Sequence, residues 1–417
     1  MNIKGLFSIG GIFFLAIWIL ASCSNRTGGE KEAVRRVSDI HDRVLTIDTH
    51  CDTPMMILRG DYDMSRHHGL GEDRRGKIDL PRMKEGGLDA EFFAAFVGQG
   101  PLTKEGYAKA RDRAFQLIDA IHGMCADFPE LVGLAVTPDD AYRLEKEGRR
   151  AAFIGMENGY PIGEDLGLVE EFYNKGVRYI TLSHSSDNQI CDSSTDRADS
   201  EDRGLSGFGG EIVTECNRLG IMVDVSHISE KSFFDVLETS RAPVIASHSS
   251  ARALCDHPRN LSDEQLEALA ENNGVIQICI LSSFLKPDVP DPERDLAMAE
   301  LRRKYSGMGE NTDEAVQKKM RDEYREVMLK YPGVKANVQD AVDHIDHVVN
   351  IIGIDHVGIG TDFDGGGGIE GCIDVSEMPH ITAELIRRGY SEEDIRKIWG
   401  GNLIRVFKQV IETAANS

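Results

Sequence analysis

Eight short apolar runs recur along this chain, each followed by a polar or glycine turn and then a longer helical pattern; this alternation limits the fold more than any other feature. The runs are VLTIDTHCD (44–52), AEFFAAFVG (90–98), AAFIGMEN (151–158), VRYITLSH (177–184), GIMVDVSH (220–227), APVIASHS (242–249), GVIQICIL (274–281) and HVGIGTDFD (356–364). They are nearly continuous in apolar residues instead of alternating, as expected of parallel strands buried on both faces. Eight strands separated by helices predict a (β/α)8 TIM barrel; a doubly wound open sheet is the competing arrangement. The barrel is preferred because in six of the eight runs an Asp, Glu or His falls in the last one to three residues, the end at which barrel active sites assemble.

The first 22 residues stand apart from this pattern. Lys4 precedes an apolar run through Leu20, and Leu20-Ala21-Ser22-Cys23 follows. The run is short and interrupted by glycine, which fits an export signal better than a spanning helix. Small residues before a cysteine resemble a bacterial lipobox, which implies that Cys23 becomes the lipidated first residue; an uncleaved anchor helix is the alternative. The expectation is an exported lipoprotein of a bacterial cell envelope, with residues 1–22 as signal peptide and 23–40 as lipid tether and N-terminal segment. Residues 41–417 then form the catalytic barrel domain.

Composition excludes some partners. The net charge is −23 and no cluster of Lys and Arg is long enough to track phosphates, so nucleic acid is not an expected ligand. Eight cysteines are scattered without a C-x-x-C pair that would suggest a zinc knuckle or redox motif, a chain this long need not depend on disulfides, and none is predicted. Two stretches break the rhythm. Residues 53–89 read as a long loop over the barrel mouth. Residues 286–338, between the seventh and eighth runs, are too long for an ordinary loop, and their charged composition reads as exposed helices. A lid or an oligomer contact is the expected role, with a homodimer as the assembly in view.

The strand-end residues carry the chemistry. His50 and Asp52 flank Cys51 and share one strand face, a metal half-site of imidazole and carboxylate, although such a pair can also simply hydrogen-bond. Glu157 follows an apolar run with no cationic neighbour in sequence, and a carboxylate so placed requires a metal or an arginine. His227 and His248 end successive runs. Any one of these five could be structural, but their convergence on one barrel end points to a metal site. Zinc is favoured because imidazole and carboxylate ligands without thiolates suit it. Five ligands exceed what one catalytic zinc takes, so two ions bridged by Glu157 are expected, roughly 3.5–4 Å apart and sharing a hydroxide as nucleophile. Asp362 is placed to take up and return the proton, with Asp364 as a competing candidate. His184 is assigned to the developing oxyanion, or else a sixth ligand. Arg259 is assigned to a substrate carboxylate, or else the surface.

VDVSH, SRAPVIASHSSARALCDHPRN and HVGIGTDFDG, together with His50-Cys51-Asp52 and FIGMEN, resemble the motifs of the membrane (renal) dipeptidases from about Leu45 to Phe407. The resemblance implies a zinc-bound (β/α)8 barrel of the metal-dependent hydrolase type that cleaves dipeptides, including ones with a C-terminal D-residue. It implies one zinc at His50 and Asp52, the other at His227 and His248, and Glu157 between them. It further implies His184 and Arg259 as substrate contacts and Asp362 as proton-transfer acid and base. The 286–338 insertion departs from the mammalian pattern and bears on substrate range. A lactonase or cyclic-amide hydrolase is the rival enzyme class, but such relatives usually bridge their metals with a carboxylated lysine where this chain has Glu157. A lipid-anchored binding protein is the non-enzymatic rival; it would be expected to have lost a ligand.

Overall fold

The computed structural model describes residues 35–41, 43–60, 62–69, 76–196, 201–305, 314–333 and 335–416. The expectations for the signal peptide and for Cys23 lie outside these residues. Nine strands form one parallel sheet: β1 (Ile47–Cys51), β2 (Ala90–Phe96), β3 (Val132–Leu134), β4 (Arg150–Glu157), β5 (Val177–Thr181), β6 (Met222–Asp224), β7 (Ile245–Ser249), β8 (Val275–Ile278) and β9 (Val357–Ile359). Eight follow one another in the order β1-β2-β4-β5-β6-β7-β8-β9. The ring closes where Asp52 N donates to the Phe363 carbonyl (2.9 Å) and Asp362 N donates to that of His50 (3.1 Å). The fold is the (β/α)8 barrel. The additional β3, which the run pattern did not isolate, pairs only with β4. At three residues it is too short to give a periodic signal.

The strands are shorter than the runs that predict them. β6 stops at Asp224 and β9 at Ile359, so His227 and Asp362 sit in the loops beyond. Ile47, Phe92, Phe153, Tyr179, Met222, Ile245 and Val275, each from a different strand, meet in one buried cluster. Phe92 stacks on Phe153 at 4.6 Å and lies 5.4 Å from Tyr179. Leu403, Phe407 and Val410 of the C-terminal helix Asn402–Ala415 complete the cluster. Burial of each such ring contributes about 2–3 kcal/mol, so this packing fixes the spacing of the strands that carry the site. A larger cluster fills the layer between the strands and the helices.

The described parts of 53–89 (53–60, 62–69 and 76–89) contain regular structure that the expected loop lacks. They contain the helices Pro54–Arg59 and Leu80–Glu85. Arg82, 1% exposed, holds the segment in place: its guanidinium donates to Asp79 (2.7 Å), Asp374 (2.8 Å) and the Gly76 carbonyl (2.8 Å). In the insertion, the helices Pro292–Lys304 and Glu314–Lys330 pack on each other, and a Lys304–Glu323 ion pair joins them. The next helix, Val338–Ile352, begins in a capping box formed by Asn337 and Asp340 and belongs to the barrel. No helix among the described residues is long and apolar enough to cross a membrane. The seven described cysteines are free.

Candidate active site

Side chains from most of the barrel strands or the loops after them converge on Glu157, the last residue of β4 and 3% exposed. Its Oε2 lies 3.4 Å from His50 Nε2; its Oε1 lies 3.0 Å from His227 Nε2 and 3.4 Å from His248 Nε2. The two oxygens of one carboxylate thus face different groups of side chains. On the first side, Asp52 Oδ2 is 4.0 Å from His50 Nε2, and Asp362 joins them with donor atoms all within 4.8 Å of one another. On the second, the Nε2 atoms of His227 and His248 approach to 2.9 Å. The structure therefore brings together all five of the ligands expected from the sequence, with Glu157 between the two groups.

Local backbone geometry makes this convergence possible. Asn158, His227, Asp362 and Asp364 have φ of 78°, 73°, 58° and 66°, in the left-handed region that L-residues with side chains avoid. Four of the five such non-glycine residues among those described thus belong to the loops at the barrel mouth, where such strain tends to collect. Gly365 is needed for a different reason: a Cβ there would stand 2.1 Å from an Asp362 oxygen and 2.2 Å from one of Asp52. Gly155 makes room for the ring of Tyr179, which a Cβ would meet at 2.1 Å. That ring reaches across the barrel and brings its hydroxyl to 2.8 Å from His50 Nδ1. Tyr179 is a residue of the site that the strand-end pattern does not identify. Its sequence signal, a glycine inside one run and a tyrosine inside the next, has meaning only once β4 and β5 are paired.

The charge distribution calls for a cation. Glu157, Asp52 and Asp362 are buried, and no lysine or arginine forms an ion pair with any of them among the described residues. Burial works against the charged form of His50, but Glu157 and Asp52 outweigh it and raise its pKa to about 10. Burial and the nearby Glu157 hold Asp52 well above the usual carboxylate range. Burial opposes ionisation of Glu157 too, but His50, His184 and the contacts with His227 and His248 keep it well below its ordinary value. Burial, with the cationic Arg259 next in effect on His227 and His50 on His248, holds both these imidazoles neutral, the form that ligates metal. Burial raises Asp362 to about 7. His50 Nε2 and Asp52 Oδ1 are buried without hydrogen-bond partners among the described residues. Carboxylates without a lysine or arginine partner and imidazole nitrogens facing one point fit a divalent metal.

Three further residues surround this centre. Arg259 is buried at 5% exposure, which removes the reading of a surface arginine. Nη2 donates to the His248 carbonyl at 3.0 Å, the guanidinium lies 5.3 Å from the centre of the Phe284 ring, and Nε has no partner. No carboxylate pairs with it among the described residues. His184 is the most open of the histidines in the group, with a side chain 24% exposed. Its Nε2 is 3.6 Å from Glu157 Oε1, and its ring packs 4.6 Å from Phe96 and 4.2 Å from His227. Asp364, unlike Asp362, is engaged elsewhere, accepting from Thr53 Oγ1 at 2.7 Å and from Lys77 N at 2.9 Å.

A (β/α)8 barrel with imidazoles and carboxylates gathered at its strand ends defines a metal-dependent hydrolase. The membrane dipeptidase family (peptidase family M19) matches over residues 34–417, and the chain belongs to it. Dipeptidase tcpJ of Claviceps purpurea (strain 20.1) is 34% identical over 87% of this chain and 76% of its own length. The structure of the probable dipeptidase PvdM from Pseudomonas aeruginosa superposes with a TM-score of 0.77 at 33% identity, covering 92% of this chain and all of that one. A metallopeptidase from Rhodobacter sphaeroides, solved with a phosphinate mimic of the dipeptide L-Ala-D-Ala, gives 0.70 at 25% identity over 88% of this chain and 99% of its own. The protein is thus an enzyme of a metallopeptidase family, and the cluster around Glu157 contains its candidate metal ligands.

Proposed function

We propose that the protein is a binuclear zinc dipeptidase, with one ion held by His50, Asp52 and Glu157 and the other by His227, His248 and Glu157. The observation that carries this reading is the division of Glu157, Oε2 toward His50 and Oε1 toward His227 and His248. Zinc suits a donor set of imidazoles and carboxylates without thiolate. Two bound ions would polarise the scissile carbonyl and make a shared water acidic enough to supply a hydroxide near neutral pH.

The chain's own residues supply the rest. Arg259, a buried cation without an acidic partner among the described residues, binds the free C-terminal carboxylate of the substrate. That contact sets the distance from the chain end to the bond that is cleaved, and so favours dipeptides. Asp362 accepts the proton of the attacking water and passes it to the leaving amine; burial holds its pKa near the working pH, at about 7. His184, the ligand-side imidazole most open to the mouth, donates to the developing oxyanion. The substrates are L,L dipeptides and, as the phosphinate-bound relative suggests, L,D dipeptides as well.

A panel of L,L and L,D dipeptides, their C-terminal amides and matched tripeptides tests the reading. Zinc-loaded protein cleaves the free dipeptides and spares the amides. Failure on every free dipeptide, or equal rates on amides, contradicts it. Leu20-Ala21-Ser22-Cys23 further supports export and lipid attachment at Cys23. Palmitate labelling that persists in Cys23→Ser would contradict that part.

A further inference from the structure

Asp224 occupies the end of the apolar strand β6, is fully buried, and has no part in the reaction above. A carboxyl group so placed needs donors. It has four. Oδ1 accepts the backbone N–H groups of Ser226 (3.0 Å) and Ser247 (2.8 Å), and Oδ2 accepts the hydroxyls of Thr181 (2.5 Å) and Ser247 (2.6 Å). Ser247 has a single hydroxyl proton, and it is directed at Asp224. The same oxygen lies 2.8 Å from His248 Nδ1, so in that second contact Ser247 can only accept, and His248 Nδ1 must carry the proton. The lone pair of His248 is thereby left on Nε2, the nitrogen 3.4 Å from Glu157 Oε1.

The other imidazoles have different support. His50 Nδ1 meets the neutral phenol of Tyr179, and His227 Nδ1 has no hydrogen-bond partner among the described residues. His248 alone of the three leads through a hydroxyl to a buried carboxyl group. We infer that Asp224 and Ser247 are positioning residues, a relay from carboxylate through hydroxyl to imidazole that locks His248 in its metal-binding tautomer and so supports the ion at the His227 and His248 side selectively. The inference rests on the two-ion reading. Outer partners of ligating histidines act in this way on ring orientation and basicity.

Ser247→Ala removes the link while leaving Asp224 its bonds from Thr181, Ser226 and the Ser247 backbone. Thr181→Val is the matched control, because it deletes another hydroxyl from the same Oδ2 without touching His248. Zinc affinity is measured by competition with a chelator, together with the number of ions retained per chain. In Ser247→Ala one ion binds as in the wild type and the other is weakened about 10–100-fold; Thr181→Val retains both. Unchanged affinities in Ser247→Ala, equal weakening of both its ions, or equal losses in the two variants overturn the relay. A wild type that binds fewer than two ions overturns the two-ion reading, and the inference with it. If Ser247→Ala does not fold, nitrogen-15 spectra of the histidines in zinc-loaded wild type decide. A proton on His248 Nδ1 upholds the relay, and a bare Nδ1 overturns it.

Discussion

The barrel mouth and the helix pair of the insertion are built on opposite principles. At the mouth, His50, Asp52, Glu157, His227 and His248 are all buried, and His227 and Asp362 adopt left-handed backbone conformations. In the insertion, the helix Pro292–Lys304 buries no residue, and Leu296 and Leu329 are 64% and 59% exposed. Surface ion pairs such as Lys304 with Glu323 and Lys318 with Asp322 contribute little each. One region accepts strain and buried charge in order to aim ligand atoms; the other carries almost none of the fold's packing energy. Substitutions should therefore be felt steeply at the mouth and weakly in the insertion.

The largest effect belongs to Glu157→Gln. It removes the shared anion from both sides of the centre, so kcat/KM falls on the order of a thousandfold, and metal content falls with it. Activity within tenfold of wild type would break the contrast at its centre. Asp362→Asn, which removes the proposed proton acceptor but leaves the five proposed ligands, lowers kcat by about 10²–10⁴-fold with metal retained; a similar loss in Asp364→Asn would show that the neighbour had been misassigned. Arg259→Met acts on binding. KM for free dipeptides rises about 10–100-fold, as expected for a lost charged hydrogen bond, while C-terminal amides respond little.

Metal uptake should depend on pH through His50. Its pKa of about 10 in the metal-free site means that a proton occupies the imidazole proposed as a metal ligand. Binding displaces that proton, so affinity weakens by up to about tenfold for each unit of acidification below that value. Calorimetry in buffers of different ionisation enthalpy counts the released protons; a count of zero contradicts the assignment. The smallest effect lies in the insertion. Replacing residues 289–333 with a short glycine-serine linker changes dipeptide turnover by no more than about threefold and leaves the thermal midpoint within a few degrees. A collapse of activity would show the helix pair to be a lid, and a change in oligomeric state would show it to be a contact between chains.

The metal centre was legible because parallel strands place their last residues on one rim, so an acid or imidazole ending an apolar run betrays its location. Geometry invisible to that argument decides the rest. His227 and Asp362 lie past the ends of β6 and β9, and no periodicity announces their left-handed turns. The choice of Asp362 over Asp364 depends on Thr53 and Lys77, more than 280 residues away in sequence, which occupy the Asp364 oxygens. Arg259 reads in sequence as one charged residue among many; only the packing of Phe284 and the His248 carbonyl around it reveals a buried cation. The sequence of 53–89, with its glycines and charges, reads as loop, whereas a buried Arg82 joined to Asp79 and Asp374 fixes the helix Leu80–Glu85 within it.

The claim that Glu157 divides two zinc ions is tested most directly by crystals of the zinc-loaded protein measured on either side of the zinc absorption edge. Two anomalous peaks are expected, roughly 3.5–4 Å apart, one beside His50 and Asp52 and the other beside His227 and His248, with one Glu157 oxygen bound to each. A single peak, or two peaks that leave Glu157 uncoordinated, would contradict the account.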